Sequence, residues 1–119
     1  MSREVQVRKI VLLPRFTSFA GADTFPTGPI NVKQYASAIV TMWFGTPVGT
    51  TPAISVDFEE SPDLTLWSTL ASLTPTPGTE LRQSISFGME WMRVVVQLGG
   101  ADPGYTGWCV GNFVTRVTN

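Results

Sequence analysis

The stretch Ile54-Ser-Val-Asp-Phe-Glu-Glu-Ser-Pro-Asp-Leu-Thr-Leu-Trp67, answered downstream by Trp91-Met-Arg-Val-Val-Val-Gln-Leu98, decides the fold class. Ile54, Val56 and Phe58 alternate with Ser55, Asp57 and Glu59, which puts apolar side chains on one face of a strand and polar ones on the other. The strand ends in Ser61-Pro-Asp63, where a fixed proline φ and short hydrogen-bonding side chains make a turn, and then reaches Trp67. In the answering segment Met92, Val94, Val96 and Leu98 alternate with Trp91, Arg93, Val95 and Gln97.

Working outward, the same period of two recurs. A first strand is expected from about Glu4 to Leu13, with Pro14 stopping its ladder. Residues 17–29 mix Gly21, Gly28, Pro26 and Pro29 with aromatic residues, and read as a long loop packed down by Phe16, Phe19 and Phe25. Ile30-Asn-Val32 is a short strand. Ala36 to Phe44 is a longer one, apolar on both faces and so covered on both. Gly45 to Pro52 reads as a hairpin loop, and Ala53 to Glu59 as the next strand. Leu64, Leu70 and Leu73 recur with Trp67 at near-helical spacing, but Pro62, Pro75 and Pro77 leave room for a turn or two of helix or a bent strand. Glu80 to Phe87 is a strand. Gly99-Gly-Ala-Asp-Pro-Gly104 reads as a turn, and Tyr105 to Val117 as the last strand or strand pair, with Gly107 and Gly111 as bulges. Seven to eight strands without a long helical period predict an all-β, antiparallel, jelly-roll-like β-sandwich. Its 119 residues suit one domain, 1–119, opening on an N-terminal strand or extended arm.

Composition narrows the functions. Charged residues make up 14% of the chain, against ~25% in ordinary soluble domains. Two accounts stay open: a monomer covered by Thr and Ser, or a subunit whose exterior is hidden against other subunits, because interface cores are depleted in charge. Eight basic and nine acidic residues with no basic run exclude nucleic acid as an expected partner. With no histidine and Cys109 as the sole cysteine, neither an internal disulfide nor a Cys/His zinc site is expected, and Cys109 reads as a small buried hydrophobe. The longest apolar run near the start, Ile10 to Leu13, is far below the ~20 residues of a membrane span or the ~7–15 of a signal core. No membrane partner is expected, and synthesis and assembly are placed in the cytoplasm.

The segment Phe58 to Trp67 resembles the strand, Ser-x-Asp turn and tryptophan of discoidin-like, galactose-binding-like jelly rolls, and Trp91-Met-Arg-Val-Val-Val96 looks like that family's aromatic-Arg-hydrophobic strand. Many bacteriophage virion proteins carry a similar arrangement. With its compact length, low charge and loops rich in Thr, Pro and Gly, the chain is similar to capsid decoration or cement proteins. That resemblance implies a homotrimer on the outside of a phage head, gripping the major capsid protein or other virion subunits, assembled in the host cytoplasm. It also admits a tail or baseplate component, or a carbohydrate-binding module with Tyr105 and Trp108 stacking on sugar. Secreted lectin domains of this type commonly close with a disulfide, which a single cysteine does not allow.

The residues named for function are few. Trp43 beside Phe44 is a candidate interface, with a core position for Trp43 equally open because tryptophan is enriched in both settings. Arg93, among apolar neighbours, calls for a carboxylate from Glu59 or Asp63 or a stack on tryptophan. Trp67 and Trp91 are expected as core anchors. The acidic cluster Asp57, Glu59, Glu60 and Asp63 reads as edge charge and turn cap, since a glycosidase pair must flank its sugar from two sides; calcium is the remaining alternative. No enzyme activity and no cofactor is expected: without histidine, acid-base work would fall to carboxylate, lysine or tyrosine, and neither a nucleophile elbow nor a phosphate loop is present.

Overall fold

The computed structural model describes residues 5–116. Among them there is no helix, only eight strands: β1 (Val7–Ala20), β2 (Thr24–Pro26), β3 (Ile30–Asn31), β4 (Tyr35–Phe44), β5 (Val48–Ser61), β6 (Ser68–Leu73), β7 (Leu81–Ser86) and β8 (Trp91–Thr115). Glu4, the expected first residue of the first strand, lies outside the described residues, as do positions 1–3 of an N-terminal arm.

β8 is the axis, and every pairing to it is antiparallel. On one side of it β4 and then β5 run in succession, from Tyr35 opposite Thr115 to Ser61 opposite Trp91. On its other side β1, β2 and β3 follow one another, from Val7 opposite Val114 to Asn31 opposite Trp91. These long ribbons bend together near residues 21–23, 45–53 and 99–104, which divides the sheet into two halves. Sheet one holds β2 and β3, the first part of β8, β5 and β6; sheet two holds β1, the last part of β8, β4 and β7. The far ends meet again through short links: Val32 N donates to Glu90 O at 2.7 Å, and Gly88 N donates to Glu60 Oε1 at 2.9 Å. The result is an antiparallel, jelly-roll-like β-sandwich.

The bend corrects the reading of Gly99 to Gly104 as a chain reversal. β8 runs straight through it, and the left-handed residues serve paired bulges in two neighbouring strands. Gly100 (φ 104°) and Asp102 (φ 48°) on β8 face Gly49 (φ 111°) and Thr51 (φ 46°) on β5. A Cβ on Gly100 would sit 2.6 Å from Thr51 O, and one on Gly49 2.6 Å from Asp102 O, so both strands need a missing side chain where they coil around each other. Residues 45–52 are likewise only partly a loop, because β5 already begins at Val48.

One contiguous core fills the sandwich. Ala38, Val40, Met42 and Phe44 of β4, with Ile54, Val56 and Phe58 of β5, meet Met92, Val94 and Val96, and Cys109 and Phe113, from the two parts of β8. Each fully buried Phe stabilises the fold by about 1.5–3 kcal/mol of transfer free energy. Phe113 stacks on Phe87 at 5.6 Å between centroids and meets Tyr35 edge-on at 5.3 Å. Gly107 and Gly111 are in register rather than bulged; both face inward and make room for rings, since a Cβ would come within 2.5 Å of Phe44 at the first and 2.4 Å of Phe113 at the second. Of the three loop phenylalanines, Phe19 and Phe25 pack together at 5.3 Å, whereas Phe16 stands 85% exposed.

Candidate assembly surface

The outer faces of the two sheets differ, and the difference starts in strand phase. On β4 the residues between the core positions are Ile39, Thr41 and Trp43; on β8 they are Trp108, Val110, Asn112 and Val114; on β1 they are Val7, Lys9 and Val11. Register places Val7 opposite Val114, Val11 opposite Val110, and Trp43 opposite Trp108. An apolar outer face on sheet two follows, with Val7, Val11 and Ile39 all exposed.

Its centre is a groove of about 320 Å³ lined by Arg15, Phe16, Trp43, Thr106, Gly107 and Trp108. A bulge in the edge strand builds one wall. Between the pairs Leu13 with Cys109 and Thr17 with Gly107, β1 carries three residues, Pro14, Arg15 and Phe16, against the single Trp108 of β8. Pro14 has no N–H for the ladder, and its carbonyl accepts the Thr17 hydroxyl at 2.5 Å, which closes the bulge. The extra length throws Arg15 over Trp108, its guanidinium carbon 5.5 Å from the ring centroid, within cation-π range. Phe16 sits at φ 64°, a backbone region that costs a bulky residue about 1–3 kcal/mol. A second hollow of about 520 Å³, reached past Arg15 and Trp108, continues along Lys9, Val11 and Val110.

Of the two residues named from sequence as an interface, Trp43 lies in this groove, half-buried, while Phe44 is wholly buried and turned into the core. Adjacent residues on a strand face opposite ways, so only one of them reaches the surface. Arg15, Phe16 and Trp108 are the groove residues that sequence reasoning did not place there; Pro14 was the one visible hint of an interrupted edge strand. Tyr105, grouped with Trp108 as an exposed loop aromatic, points into the core and is buried, and burial pushes its phenol up.

The outer face of sheet one is polar and internally paired. Glu59 stands opposite Arg93, and its Oε1 accepts from Arg93 Nε at 2.8 Å, with the guanidinium 4.2 Å over the Trp67 ring. Asp63 takes no part in that ion pair. Its Oδ1 accepts backbone N–H bonds from Leu66 at 3.0 Å and Thr65 at 2.9 Å, which, with the Ser61 hydroxyl at 3.2 Å, hold its carboxyl below the usual range. Glu60 Oε1 accepts from Gly88 N and Met89 N, and Asp57 Oδ1 from the Ser72 hydroxyl. The four acids are thus occupied separately, and among the described residues no group of three or more His, Cys, Asp or Glu is placed to hold a metal. Trp67 and Trp91 are half-buried on this outer face rather than anchored in the core, Trp91 because it shares the strand phase of Arg93 and Trp67 because it lies under the Arg93 guanidinium. Cys109 is wholly buried, and desolvation pushes its thiol up to about 12.

No protein-family model and no curated protein sequence matches the chain. Solved structures do match it in shape. A chain of the Bacillus endospore appendages, described as a family of disulfide-linked pili, superposes with a TM-score of 0.63 at 16% identity, over 97% of this chain and 91% of that one. The VP2 subviral particle of infectious bursal disease virus gives 0.64 at 14% identity, over 94% of this chain but 33% of that one, so the match spans about a third of the viral protein. T=1 particles derived from the same virus give 0.60 over 94% of this chain and 32% of that one. At these identities the likeness establishes the β-sandwich fold and nothing finer.

Proposed function

We propose that the protein is a non-enzymatic structural subunit that associates with copies of itself and with other subunits of a larger protein assembly, using the outer face of sheet two. The observation that carries this reading is the exposed apolar face running from Val7 and Val11 through Trp108 and Trp43 to Phe16. A monomer has no need to leave such a face open, and tryptophan and arginine at its centre are the residue types that dominate binding energy. The shared fold of a pilus protein and of a protein forming a virus particle supports it. The specific setting is a phage-like virion, with the protein as a decoration or cement subunit, trimeric and bound to the major capsid protein; a tail or baseplate position uses the same surface on a different neighbour.

Association through this surface would not use a disulfide. A disulfide needs an accessible thiolate, and Cys109 is buried with its thiol held protonated. Burial of Trp43, Trp108 and Phe16 is the source of binding energy in this reading.

Light scattering coupled to size-exclusion chromatography, run over a range of protein concentrations, tests self-association; co-sedimentation with emptied capsid shells from the same source tests the virion setting. Oligomers that bind the shells are expected. A protein that stays monomeric throughout and leaves the shells in the pellet alone overturns both parts.

A further inference from the structure

Charge is segregated between the halves of the sandwich. No Asp or Glu occurs in β1, β4, β7 or residues 104–115 of β8, while these strands carry Arg8, Lys9, Arg15 and Arg82; among the described residues only Arg82 of these has a carboxylate partner, Glu80 at 3.5 Å. In sheet one β5 carries Asp57, Glu59 and Glu60 against the single base Arg93. The groove on sheet two is accordingly apolar and basic. Two such faces pressed together about a two-fold axis would bring Lys9 and Arg15 of both copies into one interface with no acid to meet them, and like charges in an interface cost several kcal/mol. The groove asks for an occupant that is apolar and acidic.

The same chain presents one. The turn following β5, Asp63-Leu-Thr-Leu66, sits beside Glu59 and Glu60 and projects Leu66 at 69% exposure and Leu64 at 43%. Leu64 is held at φ 69° by the cap that Ser61 and Asp63 form beneath it: Leu64 N donates to Ser61 Oγ at 2.9 Å, and Leu66 N to Asp63 Oδ1 at 3.0 Å. Two leucines are thereby displayed on a preformed, hydrogen-bonded turn whose one ionisable group, Asp63, has its carboxyl held below the usual range by the same bonds. Preorganised turns lose little freedom on docking.

Resting on the assembly reading above, we infer that the Arg15, Phe16, Trp43 and Trp108 groove of one copy receives the Asp63 to Leu66 turn of a second copy, with Leu66 against the indoles and Asp63 facing Arg15. The turn lies at the end of sheet one where Ser61 pairs with Trp91, and the groove near the bend where Phe44 pairs with Gly107. Donor and acceptor surfaces are therefore different parts of the molecule. The contact is heterologous, and repeats into a ring if the rotation closes or a filament if it does not.

Sedimentation velocity on the full chain tests this with two variants changed only at exposed positions, so that folding is spared. One disables the groove (Arg15→Glu with Phe16→Asn), the other the turn (Leu64→Gly with Leu66→Ser), leaving Ser61 and Asp63 to cap. Each alone is expected to self-associate at least about tenfold more weakly than the wild type. Mixed in equal amounts they form dimers and stop there, because the first retains a working turn and the second a working groove. The inference is overturned if the mixture stays monomeric, if both variants assemble like the wild type, or if the turn variant does so while the groove variant fails, which assigns the groove to a different protein. A wild type that is monomeric at every concentration defeats the assembly reading itself, and this inference with it.

Discussion

The two outer faces of the sandwich are built by the same strand alternation and end in opposite conditions. On sheet one the outward polar residues of β5 have partners within the chain: Glu59 with Arg93, Asp57 with Ser72, and Ser55 with Gln97 at 3.4 Å. On sheet two the outward positions of β1, β4 and β8 are mostly Val, Ile and Trp, and among the described residues neither Lys9 nor Arg15 has an acidic partner. A face whose hydrogen bonds close internally has little left to offer a neighbour, apart from the two leucines exposed on the turn at its end. A face with unpaired cations and uncovered indoles gains from one, because burial of apolar area and neutralisation of charge are both still available.

The largest effect is expected at Gly107, whose missing side chain lets β4 and β8 approach closely beside the pairing of Trp43 with Trp108. Gly107→Ala places a Cβ 2.2 Å from Trp43 O and 2.5 Å from the Phe44 ring, so denaturant unfolding should show a loss of about 3 kcal/mol or more, with altered tryptophan fluorescence. An unchanged midpoint would mean that the two strands approach less closely than described. Next in size is the ion pair of sheet one. Glu59→Gln leaves Arg93, 27% exposed at its side chain, over Trp67 without its carboxylate and should cost about 1–3 kcal/mol while leaving self-association alone. Loss of assembly in that variant would erase the functional distinction between the faces.

Phe16 gives the opposite signature. Phe16→Gly removes an exposed ring and relieves a left-handed backbone, so the thermal midpoint should hold or rise by an amount equivalent to about 1 kcal/mol while assembly weakens. A destabilised variant with intact assembly would assign the ring to the fold instead. The smallest effect concerns the turn. Asp63 has a folded pKa below its unfolded value, so it stabilises the protein above the unfolded value, and the contribution disappears as pH falls through the folded one. Stability measured from pH 5 downward should fall less steeply in Asp63→Asn than in the wild type; parallel curves would show that the cap does not depend on the charge.

Much of the fold was legible in the sequence, for reasons that particular residues make plain. Ile54, Val56 and Phe58 face the core because a half-buried strand has a period of two, and Arg93 meets Glu59 because both fall on the polar phase of neighbouring strands. The bend at Gly99 to Gly104 was misread because glycine, aspartate and proline meet the same backbone requirement in a bulged, coiling ribbon as in a reversal. Trp43 and Phe44 were named together because β4 is apolar on both phases, and local pattern does not say which phase faces the partner sheet.

The sequence by itself determined the class of structure: strands from alternation, no internal disulfide from a single cysteine, and a composition poor in charge. Which aromatic residues stand outside, and that Arg15, Phe16, Trp43 and Trp108 converge on one groove, was decided only by tertiary structure. Those residues come from three strands, with Trp43 and Trp108 65 positions apart and joined by the pairing of β4 with β8. That register is set by the packing of Phe44 and Phe113 into the space left by Gly107 and Gly111, a fit among distant residues that no local pattern encodes.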